Sequence, residues 1–148
     1  MKKIILLLLA YFPVLSQDYK VPPDVIISLI DADPQPTISL TREGDLALVL
    51  FRDGYRSIDE LAKDELRIAG TRLDPVRYTS SRMTYYKSFS LIDIKSGDNI
   101  SLEFPVDGKF SFFQWSPDEE KVAYANTTDK GVELWVLDIK SKKSQKNW

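Results

Sequence analysis

The residues able to do chemistry in this chain are carboxylates and arginines, because the usual catalytic side chains are missing. Its 148 residues include no histidine and no cysteine. That removes the common general base of a hydrolytic triad, the thiol nucleophile and the usual zinc ligands. No glycine is followed two residues later by serine, so the elbow that exposes a nucleophilic serine is missing too. Acid–arginine groupings remain. Arg72, Asp74 and Arg82 lie close together in sequence, and a guanidinium binds a carboxylate through paired hydrogen bonds. They are candidates for contact with an acidic substrate side chain, or for an Arg–Asp pair that pins a loop. Charged pairs near turns are usually local, which favours the second use. Asp64 and Glu65 could hold a substrate amine, but adjacent acids on a helix ordinarily form a solvated face. No catalytic residue, cofactor or metal is expected, and the chain alone is not expected to be an enzyme.

Composition narrows the partners. The formal charge is −2, with 43% hydrophobic and 11% aromatic residues. The chain can bury a core, and it lacks the basic footprint of a nucleic-acid binder. Lys2 and Lys3 precede an apolar run from Ile4 to Phe12, followed by Pro13 and Val14-Leu15-Ser16. This is the layout of a secretory signal peptide over residues 1–16, cleaved before Gln17. The run is too short for a stable membrane anchor, since a span takes about 20 apolar residues. Export to the periplasm or the extracellular space is expected, with residues 17–148 as the mature chain.

Several elements can be read along that mature chain. Val25 to Ile30, behind Pro22-Pro23-Asp24, is β-branched enough for a strand, but its apolar residues also fall at helical spacing after Pro23, and a helix of one or two turns is the favoured reading. Leu46 to Phe51 is an unbroken apolar run, the mark of a strand buried on both faces. Ser57 with Glu60 forms a capping box. Ile58, Leu61, Ala62, Leu66 and Ala69 can line one broad face up to Gly70, which predicts a helix over 58–69. From Tyr86 onward, short apolar stretches alternate with turn residues, and the predicted strands include Asn99–Phe104, Phe110–Trp115, Lys121–Asn126 and Val132–Ile139. Trp115, Trp135, Phe112 and Phe113 read as core.

An internal repeat organises these elements. Leu40-Thr41-Arg42-Glu43 and the strand after it are echoed by Trp115-Ser116-Pro117-Asp118 and its strand. Leu91-Ile92-Asp93-Ile94-Lys95-Ser96 is echoed by Val136-Leu137-Asp138-Ile139-Lys140-Ser141. The two echoes have different offsets, and the surplus matches the Ser57–Pro75 segment and its flanks. The fold class expected is all-β: about two blades of an incomplete β-propeller, with one helical insertion between the second and third strands of the first blade. Blade one covers about 37–104. Blade two covers about 110–148 and is expected to stop where its outer strand should begin, so the chain reads as a fragment. Expressed alone, it should associate or melt without a sharp transition.

The Trp115–Asp118 turn together with Glu133-Leu134-Trp135-Val136-Leu137-Asp138 resembles the blade signature of TolB-type and peptidase propellers, except that Glu119 stands where glycine is usual. A more specific resemblance lies in Ser57–Ala62, Glu65–Pro75 and Ser81-Arg82-Met83, with Pro22-Pro23 and Asp31–Pro34. These are similar to the start of glutamyl endopeptidases, serine peptidases of the prolyl-oligopeptidase family, over roughly residues 19–141. The resemblance implies an N-terminal propeller that limits access to a catalytic cavity. It also implies a C-terminal α/β-hydrolase domain as partner, with peptide substrate met only in the whole enzyme. The alternative is a stand-alone TolB-like module that binds a protein partner without enzymatic activity.

Overall fold

The computed structural model describes residues 20–105 and 108–147; the expected signal peptide and its cleavage site lie outside them. Helix α1, Asp24–Ile30, forms as the apolar spacing predicts. It starts directly after Pro23, whose missing N–H costs nothing at a helix start, and it buries none of its residues. None of the helices among the described residues is long and apolar enough to cross a membrane.

From Ala32 onward the chain forms one compact all-β unit. The first sheet contains β1 (Thr37–Leu40), β2 (Leu46–Phe51), β5 (Ser88–Asp93) and β6 (Asn99–Ile100), in spatial order β1-β2-β5-β6. The second contains β7 (Lys109–Trp115), β8 (Lys121–Thr128), β9 (Gly131–Asp138) and β10 (Lys143–Lys146), in chain order. Both are antiparallel meanders and neither closes into a barrel. Between β2 and β5 lie helix α2 (Ile58–Leu61) and a small hairpin of β3 (Leu66–Ile68) with β4 (Thr71–Leu73). The insertion thus falls where the repeat places it.

Turn geometry shows that the two sheets are one plan used twice. Thr41 N–H donates to Leu46 O at 3.1 Å and Gly44 N–H to Thr41 O at 3.0 Å. At the matching place in the second sheet, Ser116 N–H donates to Lys121 O and Glu119 N–H to Ser116 O, both at 2.9 Å. Gly44 has φ +70° and Glu119 +58°; Gly97 and Lys142, in the later turn of each sheet, have +76° and +62°. The first sheet meets each left-handed position with glycine, where it costs little; the second uses side chains that are strained there. Glu119 gains something in return, since its carboxylate accepts Arg42 N–H at 2.7 Å and ties the two turns together.

The core lies between the sheets. Leu48, Leu50 and Phe89 of the first meet Phe110, Val122, Tyr124 and Leu137 of the second. Burial of each such side chain contributes about 1.5–3 kcal/mol. Aromatic packing fixes the fit: Phe89 meets Phe110 edge-on at 5.3 Å, and Phe113 stacks on Tyr124 at 5.4 Å. Two backbone pairings cross between the sheets, a reciprocal pair joining Tyr86 to Phe110 and a parallel bridge joining Glu103 to Lys143.

The structure corrects four expectations. The helix over 58–69 is one turn, Ile58–Leu61, and the chain then runs into the β3–β4 hairpin. Ala69 and Gly70, at φ +48° and +84°, form its two-residue turn; both positive angles match the right-handed strand twist, and β-branched Ile68 and Thr71 flank them. The second sheet does not lack its outer strand: Lys143–Lys146 pairs with Trp135–Asp138 as β10. The strand expected over Asn99–Phe104 pairs with β5 only at Asn99 and Ile100, because Glu103 bonds to the second sheet. Finally, Phe112 is 72% exposed. A bulge between Ser111 and Gln114 inserts one extra residue there, and Phe112 takes φ +54°. Phe113, Trp115 and Trp135 pack against the core as expected.

Candidate functional site

The insertion is where the chain gathers its charged groups. Arg72 and Arg82 both turn to Glu65. Arg72 Nη1 donates to Glu65 Oε2 at 2.7 Å and Arg82 Nε to Oε1 at 2.6 Å. The Glu65 side chain is only 10% exposed. The bonds from Arg72 and Arg82 hold its carboxyl down at about 2, well below the usual 4.5. Asp74 belongs to a different cluster. Its carboxylate accepts from the backbone N–H of Val76 and Arg77 at 2.8 and 3.0 Å and from Arg77 Nη1 at 2.8 Å. Burial pushes the Asp74 carboxyl up, but the bonds from Arg77 and Val76 leave it below its usual value.

The three candidates therefore do not form one site. Arg72 and Arg82 come together on Glu65, the anticipated Arg72–Asp74 pair gives way to Asp74–Arg77, and all three are engaged locally. Asp64 is exposed beside them. Sequence reasoning missed Glu65 as the centre because it placed the residue on a helix. A hairpin signal at Ala69-Gly70 would have paired Leu66 with Leu73 and put Glu65 within diagonal reach of Arg72.

Arg77, also missed, fastens the insertion to the second sheet. Its Nε donates to Thr128 O at 2.9 Å and its Nη2 to Asp129 Oδ1 at 2.6 Å, at the β8–β9 turn. The Arg77 side chain is 14% exposed, and its pKa is raised, chiefly by the bond to Asp74.

A cleft of about 940 Å³ opens where the insertion leaves and rejoins the first sheet. Arg52, Arg56, Lys87 and Lys109 line it, against Asp53 and Glu60, with Tyr55, Tyr85 and Tyr86 as aromatic wall. Lys109 is ion-paired to Glu60 and sits 5.5 Å from the Tyr85 ring centre. Lys87 reaches Asp53 at 3.1 Å and Asp33 at 3.4 Å, which raises its pKa, Asp53 contributing most. The Arg56 guanidinium donates to Arg82 O, joining the cleft wall to the Glu65 cluster. Chemically the cleft is a set of hydrogen-bond donors with a cationic majority beside tyrosine rings. Arg72, Asp74 and Arg82 are not in its lining. Among the described residues, no group of three or more acidic side chains is placed to hold a metal ion.

Of the two N-glycosylation patterns in the sequence, Asn126-Thr127-Thr128 is closed: Asn126 is 3% exposed, inside the second sheet. Asn99 is exposed.

Comparison with known proteins points to peptidases. The chain is 29% identical over 135 residues to a probable chloroplastic glutamyl endopeptidase of Oryza sativa subsp. japonica. It is 29% identical over 133 residues to a probable chloroplastic glutamyl endopeptidase of Arabidopsis thaliana. Each match covers 83% of this chain and 14% of the relative, so the chain spans a small part of the length of these enzymes. No family model matches the chain, and no solved structure matches it. The chain is thus a peptidase-related segment, all-β in class.

Proposed function

We propose that this chain is a non-catalytic propeller portion of an exported serine peptidase of the glutamyl endopeptidase type, in the prolyl-oligopeptidase family. Its role there is to limit which peptides reach a catalytic cavity in a partner α/β-hydrolase domain. The observation that carries this reading is the similarity to two glutamyl endopeptidases across most of the chain, in a fold built of repeated four-stranded meanders. The absence of histidine, cysteine and a Gly-x-Ser step from the whole sequence leaves no nucleophile–base pair of the usual kinds. The chemistry is therefore assigned to another domain. The insertion, held by Glu65 and Arg77, supplies a fixed rim rather than a flexible lid.

The test is to express the reading frame that contains this chain in full, with and without residues 20–147. Each product is assayed on a folded protein and on a short peptide with glutamate at the cleaved bond. The reading expects the complete enzyme to favour the short peptide, and removal of the segment to raise cleavage of the folded protein relative to it. A reading frame without a hydrolase domain, or a selectivity that does not move, overturns the proposal.

A further inference from the structure

Most of the charge around the insertion is already spent within the fold. Arg72 and Arg82 hold Glu65, and Arg77 holds Asp74 and Asp129, so each of these guanidinium groups has a carboxylate partner. In the cleft of about 940 Å³, Lys109 is paired with Glu60, and Lys87 with Asp53 and Asp33. Both acids of the lining are thereby used. Arg52 and Arg56 are different. Both are exposed and line the cleft. Among the described residues, neither has an acid within ion-pair distance. The cleft keeps two positive charges that the fold does not neutralise.

Arg56 is also held in place. Its guanidinium donates to the carbonyl of Arg82, and Arg82 is fixed in turn by Glu65. A carbonyl orients the group without cancelling its charge, and most of the guanidinium N–H donors are left over. The fork is thus presented in advance, so less ordering is lost when an anion arrives. Tyr55 stands between the two arginines in sequence and is 74% exposed. Its ring adds an apolar face to the same lining.

Guanidinium suits two oxyanions, carboxylate and phosphate. A carboxylate carries one charge and would leave one arginine unmatched. A phosphate monoester carries about −1.5 to −2 near pH 7 and matches both. We propose that the cleft binds an aromatic phosphate monoester, with Arg52 and Arg56 on the phosphate and Tyr55 against the ring. Such a site needs only these residues and stands apart from the peptidase reading. Its pH dependence belongs to the ligand. The chain has no histidine and no cysteine, whereas a phosphate monoester takes up its second proton near pH 6. The other charged groups of the cleft are Lys87, Lys109, Asp53 and Glu60, with Asp33 beside Lys87. Burial pushes the Glu60 carboxyl up, but Lys109 and Lys63 leave it below its usual value. Asp53 and Asp33 hold Lys87 above its own. Both shifts lead away from pH 6.

Calorimetric titration of the chain with phenyl phosphate, inorganic phosphate and benzoate decides it. Phenyl phosphate should bind about tenfold more tightly at pH 7 than at pH 5, because its dianion is about tenfold more abundant there. Benzoate, ionised at both, should bind more weakly and hardly change; inorganic phosphate should also bind more weakly, having no ring for Tyr55. Arg52→Gln and Arg56→Gln should each weaken phenyl phosphate about tenfold or more. Arg67→Gln, exposed on the β3–β4 hairpin and outside the lining, should leave it unchanged. A short phosphotyrosine peptide that binds more tightly than phenyl phosphate assigns the carrier to a protein, and one that binds no better assigns a small aryl phosphate. The site is overturned if phenyl phosphate does not bind, or binds equally at both pH values. It is overturned too if benzoate binds as tightly, which marks a carboxylate site, or inorganic phosphate does, which removes the ring. An equal loss in Arg67→Gln would reduce the effect to diffuse charge. Amide protection in β2 and β5 is the folding control, and where one arginine variant loses it, the other carries the test.

Discussion

The two sheets solve the same geometric problem with different residues. At the first left-handed turn position one sheet has Gly44 and the other Glu119; at the second, one has Gly97 and the other Lys142. Where the first sheet has Ala47 and Val49, the second has Val122 and Tyr124. The first sheet is thus relaxed in its turns and light on its outer face, and the second is strained in its turns and heavy on its inner one. A repeat constrains backbone path and face alternation, while the side chain at each position answers to its neighbour.

The largest effect that would sharpen this contrast is in the core. Tyr124 is fully buried and packs against Phe89, Phe110 and Phe113. Tyr124→Ala should cost about 3–5 kcal/mol, whereas Val49→Ala at the matching position should cost about 1–2 kcal/mol. Urea unfolding of the two variants checks the ordering, and equal losses would mean that the sheets carry equal shares of the core.

Turn substitutions come next. Gly44→Ala meets no atom within 4 Å, so its penalty is conformational alone, about 1–2 kcal/mol. The reverse exchange in the second sheet, Lys142→Gly, should stabilise by about 0.5–1 kcal/mol, since φ is +62° there. Glu119→Gly gains the same relief but gives up the bond from Arg42, and its midpoint should barely move. A gain for Glu119→Gly as large as that for Lys142→Gly would show that the link between the two turns contributes nothing.

The insertion supplies smaller effects. Ser57 Oγ accepts Glu60 N–H at 3.2 Å, and Ser57→Ala should cost about 0.5–1 kcal/mol, confined to the exposed turn Ile58–Leu61. Hydrogen exchange at those amides reads it, and a change reaching Ala69 would restore the longer helix. The Glu65 cluster sets a pH limit. Its folded-state pKa of about 2 lies below the usual 4.5, so the carboxylate supports the hairpin above that range. The support is lost as pH falls from about 4.5 through about 2. Amide exchange in Leu66–Leu73 should accelerate over that window while β2 and β8 keep their protection. Insensitivity of the hairpin to pH there would remove Glu65 from its role.

The parts legible in the sequence were those enforced by burial or by repetition. Leu46–Phe51 announced a two-faced strand because both faces are in fact covered at Ala47, Leu48, Val49 and Leu50. The matching Asp-Ile-Lys-Ser stretches located the third strand of each sheet and, with it, the insertion. β10 was hidden for a physical reason: Lys143-Ser144-Gln145-Lys146 is a polar edge strand, and such strands carry no apolar alternation. Its only signal was the repeat spacing, which sets Asn99 of β6 against Ser144. The hairpin was misread because Leu66 and Ala69 satisfy a helical period while Leu66 and Ile68 satisfy an alternating one, and a segment this short cannot separate them. Of the site, the charged residues were visible but their partners were not, since Arg77 finds Thr128 and Asp129 only once the chain has folded.

The way the insertion is seated has a consequence for how such a chain can change over time. Phe51 ends β2 opposite Ser88, and its carbonyl accepts Lys87 N–H at 2.8 Å. The excursion between them leaves and returns through a gap of about 5 Å, no wider than that of an ordinary hairpin pair. Doubling the length of a flexible loop across such a gap costs only about 0.6 kcal/mol. The position works as a socket: a lineage can lengthen, trim or exchange the segment plugged into it while the sheet on either side keeps its ladder. A laboratory can use the same socket to mount a foreign segment in place of residues 53–85.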